Sequence, residues 1–455
     1  MGGSALMGLL ACVGAPVELP VERPPDVLLV VLDTVRSDHL SAYGYERPTS
    51  PALEILASQG RLYTDVTASS WTWPSHASLF TGLPPWQHGA HFVDSEGLEV
   101  VEGFLHAAPM RTELPTMAER FEGEGYDTVL LSGNDLLREE LGLSRGFGRV
   151  EIFPDDGATL AAAQELLGQE RAKPVLLVVN FYGAHAPWFV THGSGDLTGR
   201  LQQDEAWLGP HVLGPGHAWN PMIRAEGGAS AAERLIAGEL QLPPDGLEII
   251  TALYDGEIQR VDAMLGGLLA AWGPGGVVAV TSDHGEYLGE RGLWLHCRTV
   301  YPQITRVPLV LRASTLSGGQ RVEVPVQLDQ VQDALLALAG LEVSSPLLDP
   351  HPVPIQAAAW RDRSWSGRLG GRFTQGYRLY REGDLALVLG MESGVELYDL
   401  SQDPGMFEDL AGSRPQELER LRLAAARSWA EVEPGSAVEL DPATAERLRV
   451  MGYVD

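Results

Sequence analysis

The chain has 455 residues, 44% of them apolar, enough to bury a large core and to form one large domain plus a smaller one. Its 32 basic residues face 61 acidic ones, a net charge of -29 that opposes contact with a phosphate backbone and excludes nucleic acid as a partner. A small anionic substrate remains compatible with that charge where the pocket itself is locally positive.

At the N-terminus, "ALMGLLAC" is a short apolar run closed by a small residue and Cys12, and it resembles a bacterial lipoprotein signal whose cleavage leaves a lipidated Cys12. The expected location is then exported, periplasmic or at the cell surface of a bacterium, with the membrane reached only through that lipid. Against this, no Lys or Arg precedes the run, and an uncleaved chain is expected in the cytoplasm. No later segment approaches the ~20 apolar residues needed to span a bilayer. Two cysteines, Cys12 and Cys297, are too few for a disulfide framework or a cysteine-based zinc site.

Residues 1–25 end in "APVELPVERPP", a Pro-rich tether, and a unit spanning 26–343 follows. It opens on "DVLLVVLD", whose apolar, β-branched run predicts a strand buried on both faces. "DTVLLS", "PVLLVVN", "GVVAVTSD" and "RVPLVLR" predict further strands, each after a segment of helical periodicity. "SPALEILASQG" and "LPTMAERFEGEGY" are such helices, with Gly endings. Strands alternating with helices imply an α/β fold with a mostly parallel sheet covered on both faces, where ligands collect at the carboxyl ends of the strands. The irregular, Gly-rich stretch Thr191 to Met222 predicts a long functional loop. From Ser344 to 455 the texture becomes short alternating runs, "RFTQGYRLYREGDLALVLG", and then a helix, "RPQELERLRLAAARSWAEV". This predicts a smaller C-terminal α+β unit with an antiparallel sheet.

Asp33 follows "VLLVVL" directly, and Asp283 with His284 follows "GVVAVTS", which puts all three just past strand ends. Two carboxylates and an imidazole can hold one divalent cation with an open position; this donor set favours zinc or manganese and admits calcium or magnesium less well. Each residue alone is also an ordinary turn former or cap. In "SSWTWPSHASLFTGL", Pro74 suits the first turn of a helix that runs to a Gly stop, so Thr72 lies beside a helix N-terminus, where an anion is favoured. There Thr72 or Ser75 either caps the helix or, for Thr72, serves as a nucleophile. What a hydroxyl lacks for attack is acidity, and coordination to a cation supplies it.

The motifs "VLDTVRSDHLSAYGY", "TWPSHASLFTGLPPWQHG", "YGAHAPW", "YDGEIQRVDAMLGGLL", "TSDHGEYLGERG" and "ELYDLSQDPGMFEDL" occur in the order of the sulfatase family of the alkaline phosphatase superfamily, which the chain resembles from about Asp26 to its end. "LDPATAERLRVMGYV" is similar to the tail of bacterial members. The resemblance implies an alkaline-phosphatase-like α/β/α sandwich with a small C-terminal domain, and metal-assisted displacement through a covalent enzyme intermediate. It implies Asp33, Asp283 and His284 as metal ligands, and Thr72 as nucleophile touching the metal. His185 and His296 are implied to contact the transferred group or protonate the leaving group, with His76 and Asn134 also in the pocket. The implied substrate is a small anionic ester, with a glycan or a lipid head group as its compatible carriers.

This chain departs from the family at several positions. Most sulfatases carry Cys-x-Pro-x-Arg, with the Cys oxidised to formylglycine; here Thr72-Trp73-Pro74-Ser75-His76 stands in its place, so formylglycine cannot form. Thr34 replaces the second Asp of the usual pair, His284 stands where many members carry Asn, and the usual Lys near Ser132 to Asp135 is missing. A threonine nucleophile is similar to the phosphatase, phosphodiesterase and phosphotransferase branches, and tilts the expectation from sulfate towards phosphorus chemistry. A sulfuric ester hydrolase working without formylglycine is the first alternative. An inactive anion- or glycan-binding surface lipoprotein is the second.

Overall fold

The run Val27–Leu32 is a strand buried at every position. Val27, Leu29 and Val31 enter one apolar cluster, and Leu28, Val30 and Leu32 enter another, so alternation along the strand feeds both sides of a sheet. Truncating one such enclosed leucine to alanine costs about 2–5 kcal/mol. The computed structural model describes residues 23–92, 107–189, 212–213, 218–219, 230–242, 244, 246–360, 369, 375–390 and 394–428. Cys12 with most of its tether, most of Thr191 to Met222 and the tail motif lie outside the described residues.

The strand order across the nine-stranded sheet is Gln320–Val322, Arg61–Thr67, Arg306–Arg312, Val277–Thr281, Val27–Leu32, Val175–Phe181, Asp127–Ser132 and Arg149–Ile152. Val326–Gln327 also pairs with Arg61–Thr67. Every pairing is parallel except those of Arg306–Arg312, which is antiparallel to both neighbours. The mostly parallel α/β architecture expected from the sequence is therefore present. Within Thr191 to Met222, Val212–Leu213 and Ala218–Trp219 pair as short antiparallel strands, the latter also with Trp188–Phe189.

A separate antiparallel sheet joins Ile355–Ala359, Tyr377–Glu382, Leu385–Gly390 and Gly394–Asp399 in sequence order. One face, with Leu379 and Val388, packs against Tyr287, Leu293 and Tyr301; the other, with Leu387 and Leu397, packs against Leu421 and Ala425 of the helix Pro415–Ser428. The smaller sheet thus backs the segment that follows Val277–Thr281. Among the described residues no helix is long and apolar enough to cross a membrane.

Candidate active site

Four loops leave the carboxyl ends of adjacent strands and converge. Asp33 follows Val27–Leu32, Asn134 follows Asp127–Ser132, His185 follows Val175–Phe181, and Asp283 with His284 follows Val277–Thr281. The first is brought to the others by a sharp turn at Thr34, whose φ of 59° is uncommon for a β-branched residue and marks stored strain. Thr34 N donates to Asp283 Oδ1 at 3.2 Å, and Val35 N donates to Ser282 Oγ at 3.0 Å. These bonds tie the loops of two neighbouring strands together.

Asp33, Asp283 and His284 are fully buried, and each offers one ligand atom within 4.8 Å of the others. Asp33 Oδ2 accepts from Asn134 Nδ2 at 2.7 Å, and Asp283 Oδ1 accepts from His284 N at 2.9 Å. Asp33 Oδ1 and Asp283 Oδ2 have no protein partner. His284 Nδ1 lies 2.9 Å from Gly285 O, which can only accept, so Nδ1 carries the proton and Nε2 presents a lone pair. That Nε2 is 3.9 Å from Asp33 Oδ1 and 3.5 Å from Asp283 Oδ2. Two unpartnered buried oxygens and one imidazole lone pair fit a divalent cation of the zinc or manganese type.

The titration of the cluster agrees with that fit. Burial, followed by the charge of Asp283, raises Asp33 well above the usual carboxylate range; burial also raises Asp283 and lowers His284. Buried carboxylates this close must take up either protons or a cation.

Thr72 is the first residue of the helix Thr72–Thr81, which ends at Gly82 in the left-handed conformation at φ 69°. Trp71 precedes the helix in extended form, and no side chain caps it. Capping by Thr72 or Ser75, the plainer expectation, is therefore not realised, and Ser75 Oγ is buried without a partner. Thr72 is fully buried, and its Oγ1 lies 3.3 Å from His284 Nε2. The hydroxyl thus borders the site that the three ligand atoms outline.

The remaining expected residues divide into two groups. His76 Nδ1 donates to Thr72 O at 3.0 Å and sits 3.6 Å from Asp283 Oδ2, while Asn180 Nδ2 lies 3.5 Å from its Nε2; burial lowers its pKa. Asn134 Oδ1 accepts from Leu136 N at 2.9 Å while its amide nitrogen holds Asp33. Asn134 thus holds the Asp33 carboxylate, whereas His76 is anchored on the Thr72 carbonyl with its ring beside Asp283. His185 and His296 form the second group, with ring centroids 5.1 Å apart, and His296 lies 4.3 Å from the His284 ring. His185 Nδ1 donates to Ala186 O at 2.7 Å, and its ring stacks on Tyr182. Burial, with the neighbouring His296, pushes His185 down to about 3, so it is a neutral imidazole near pH 7.

Sequence reasoning missed Glu286. Its Oε1 lies 3.0 Å from His296 Nδ1, it is fully buried, and its Oε2 has no partner. Burial pushes Glu286 up to about 7 and, with the Arg298 charge, His296 down to about 3. Below neutral pH the two form a neutral hydrogen-bonded pair rather than an ion pair. The only sequence signal for Glu286 was an acidic residue three positions after Asp283 in the same loop. Cys297 is half-buried at φ 85°, and its N–H donates to Ser70 O at 2.9 Å. The missing-lysine signal is also stronger than a local motif can show. Lys173 is the one lysine of the whole chain, and it lies before Val175–Phe181, at the opposite end of the sheet.

Comparison with known proteins agrees with this geometry. Residues 25–341 match the family model described as Sulfatase. The chain is 22% identical to a Delta 4,5-hexuronate-2-O-sulfatase of Bacteroides thetaiotaomicron, over 89% of this chain and 88% of that protein. It is 30% identical to a sulfatase of Formosa agariphila over 70% of each. Among solved structures, the phosphonate monoester hydrolase of Agrobacterium radiobacter shares the fold with a TM-score of 0.63 at 20% identity, over 89% of this chain and 94% of that one. With the family model covering well over half of its length, the chain belongs to the sulfatase family of ester hydrolases.

Proposed function

We propose that this chain cleaves an anionic ester at phosphorus through a covalent intermediate on Thr72, releasing the group to water or to an acceptor alcohol. The observation that carries the reading is Thr72 Oγ1, 3.3 Å from His284 Nε2 at a helix N-terminus, beside two buried carboxylate oxygens without protein partners. A threonine with a purely structural task has no need of such surroundings.

Asp33, Asp283 and His284 would hold one divalent cation, zinc or manganese by their mixed oxygen and nitrogen donors. Bound there, the ion supplies Lewis acidity that favours ionisation of a nearby hydroxyl and offsets charge on the transferred group. Thr72 loses its hydroxyl proton to solvent, Oγ1 bonds to phosphorus, and the bond to the leaving alcohol breaks on the opposite side. The leaving oxygen takes a proton from water, because burial holds both His185 and His296 as neutral imidazoles. Water then attacks the Thr72 ester, restoring the hydroxyl and freeing the phosphoryl group. His185 and His296 contact the non-reacting oxygens, Asn134 holds Asp33 in place, and His76 is held beside Asp283 through the Thr72 carbonyl.

Three observations favour phosphorus. A threonine replaces the formylglycine precursor, no lysine stands near the site, and a phosphonate monoester hydrolase shares the fold. Sulfate is the second reading, because the relative named for hexuronate 2-O-sulfate cleavage matches over nearly the full length. Export with lipidation at Cys12 belongs to this proposal on the strength of the "LLAC" sequence alone.

The test is turnover of matched aryl sulfate, phosphate monoester, phosphate diester and phosphonate monoester by zinc- and manganese-loaded protein, with Thr72→Ala alongside. Preferential phosphorus turnover lost in the variant is the expected result. Preferential sulfate turnover moves the assignment to the second reading, and full activity in Thr72→Ala removes the nucleophile.

A further inference from the structure

The "YDGEIQRVD" motif, Tyr254 to Asp262, contributes no group to the chemistry above, yet it lies in the 27-residue helix Gly246–Trp272, and its Tyr254, Asp255, Glu257 and Asp262 side chains are buried. Tyr254 Oη donates to Thr34 O at 2.6 Å and accepts from Arg36 N at 3.0 Å. One fully buried hydroxyl therefore clamps both sides of the strained turn that carries Asp33 and bonds Asp283. Asp255 holds the continuation of the same segment, accepting from His39 Nδ1 at 2.8 Å, Tyr45 Oη at 2.9 Å and Arg47 Nη1 at 2.6 Å.

Six residues and about 9 Å further along the helix axis, Arg260 serves a different loop. Its Nη2 donates to Asp156 Oδ2 at 2.8 Å and its Nε donates to Glu257 Oε2 at 2.8 Å. Asp156 Oδ1 accepts from Tyr182 N at 2.7 Å, Tyr182 O accepts from His185 N at 3.0 Å, and the Tyr182 and His185 rings stack at 4.5 Å. A Cβ on Gly183 would lie 1.7 Å from Arg260 Nη2 and 2.5 Å from Asp156 Oδ2, so the guanidinium fills the space that a side chain there would need. The loop and the arginine are built to each other.

We infer that this one helix positions the two halves of the site separately: Tyr254 is the positioning residue for the metal-ligand turn, and Arg260, through Asp156, is the positioning residue for the loop that aims His185 at the substrate anion. The inference rests on the proposed metal-assisted reaction. Asp262 is a built-in control, because it accepts from Ala52 N and Leu53 N at the start of the helix Pro51–Gln59 and touches neither loop.

The experiment combines chelator-competition titration of the full chain with Zn2+ and Mn2+, thermal melting, and kcat and KM at saturating metal for whichever ester the wild type turns over. Tyr254→Phe keeps the ring and is expected to weaken metal binding by about 10- to 100-fold, with KM little changed once metal is saturating. Arg260→Lys is expected to raise KM several-fold with metal affinity unchanged; Asp156→Asn reads the same loop should the lysine variant fail to fold. Asp262→Asn is expected to lower the melting temperature alone. A Tyr254→Phe chain that behaves like Asp262→Asn, or variants that each lose metal affinity and KM together, overturns the division. A wild type that turns over no ester, or a Thr72→Ala chain that keeps its activity, instead defeats the reaction, while the metal titration still tests Tyr254.

Discussion

Asp26 and Asp33 stand at the two ends of one strand, and their surroundings are opposite. Asp26 accepts from Arg23 Nη2 at 3.0 Å, Arg171 Nη2 at 2.9 Å and Val175 N at 2.9 Å, and remains partly exposed. Asp33 is fully buried, takes one amide hydrogen bond, and leaves Oδ1 without a partner beside a second buried carboxylate. At the Asp26 end, Lys173 also sits 3.5 Å from Asp127 in an exposed pair. A carboxylate that is part of the scaffold comes with its partners supplied; a buried one left short of them carries a desolvation cost, which the proposed cation would offset.

The largest effect expected at the Asp33 end is on rate. Thr72→Ala should lower turnover by at least about a thousandfold while the protein still takes up one equivalent of metal, read by kinetics and metal analysis on the same sample. Asp283→Asn should abolish stoichiometric metal uptake, yet raise the melting temperature of the chelator-treated protein, because it removes one of two unsatisfied buried charges. A drop in that melting temperature would mean that Asp283 is structural in the way Asp26 is. Asn134→Ala, which frees Asp33 Oδ2, should cost about 10- to 100-fold in metal affinity or activity.

A smaller effect follows from titration. Burial raises the carboxyl groups of Asp33, Asp283 and Glu286, the last to about 7. In the unfolded chain such groups lose their protons near pH 4. Between about pH 4 and pH 7 these three carboxyls bind more protons in the folded chain than in the unfolded one, so their share of metal-free stability falls as pH rises, against the opposite slope of His185 and His296, which burial holds neutral down to about 3. Below that window the contribution is complete. Melting Glu286→Gln beside the wild type in chelator at pH 5 and pH 7 isolates the Glu286 share: the wild type should lose more stability, or gain less, than the variant over that interval, and an identical pH response in the two chains contradicts the assignment. Asp26→Asn should do least, costing less than about 1 kcal/mol with turnover unchanged.

What the sequence made legible follows the same contrast. Strands buried on both faces announce themselves as unbroken apolar runs, and Asp127–Ser132 and Arg306–Arg312 appear where "DTVLLS" and "RVPLVLR" place them. Arg61–Thr67 and Arg149–Ile152 escaped, because their mixed polar and apolar residues lie towards the sheet's edges and carry only part of that signal. The antiparallel direction of Arg306–Arg312 is likewise invisible in a run that reads the same from either end. Asp33 and Asp283 could be picked out because each directly follows such a run. Glu286, Tyr254 and Asn180 could not, since their importance lies in contacts across the fold: Tyr254 meets Thr34 across 220 positions of chain. The contacts of His76 with Asp283 and of Asn134 with Asp33 have the same origin, since they join residues from different strands or turns of the fold.

The central claim is that Thr72 Oγ1 becomes covalently attached to the group being transferred. Peptide mass mapping of the metal-loaded protein, quenched during turnover of a slow phosphonate or phosphate ester, tests it most directly. The account predicts a phosphonyl or phosphoryl adduct on the peptide containing Thr72, absent from Thr72→Ala. An adduct on another residue, or sustained turnover with Thr72 never modified, would contradict it.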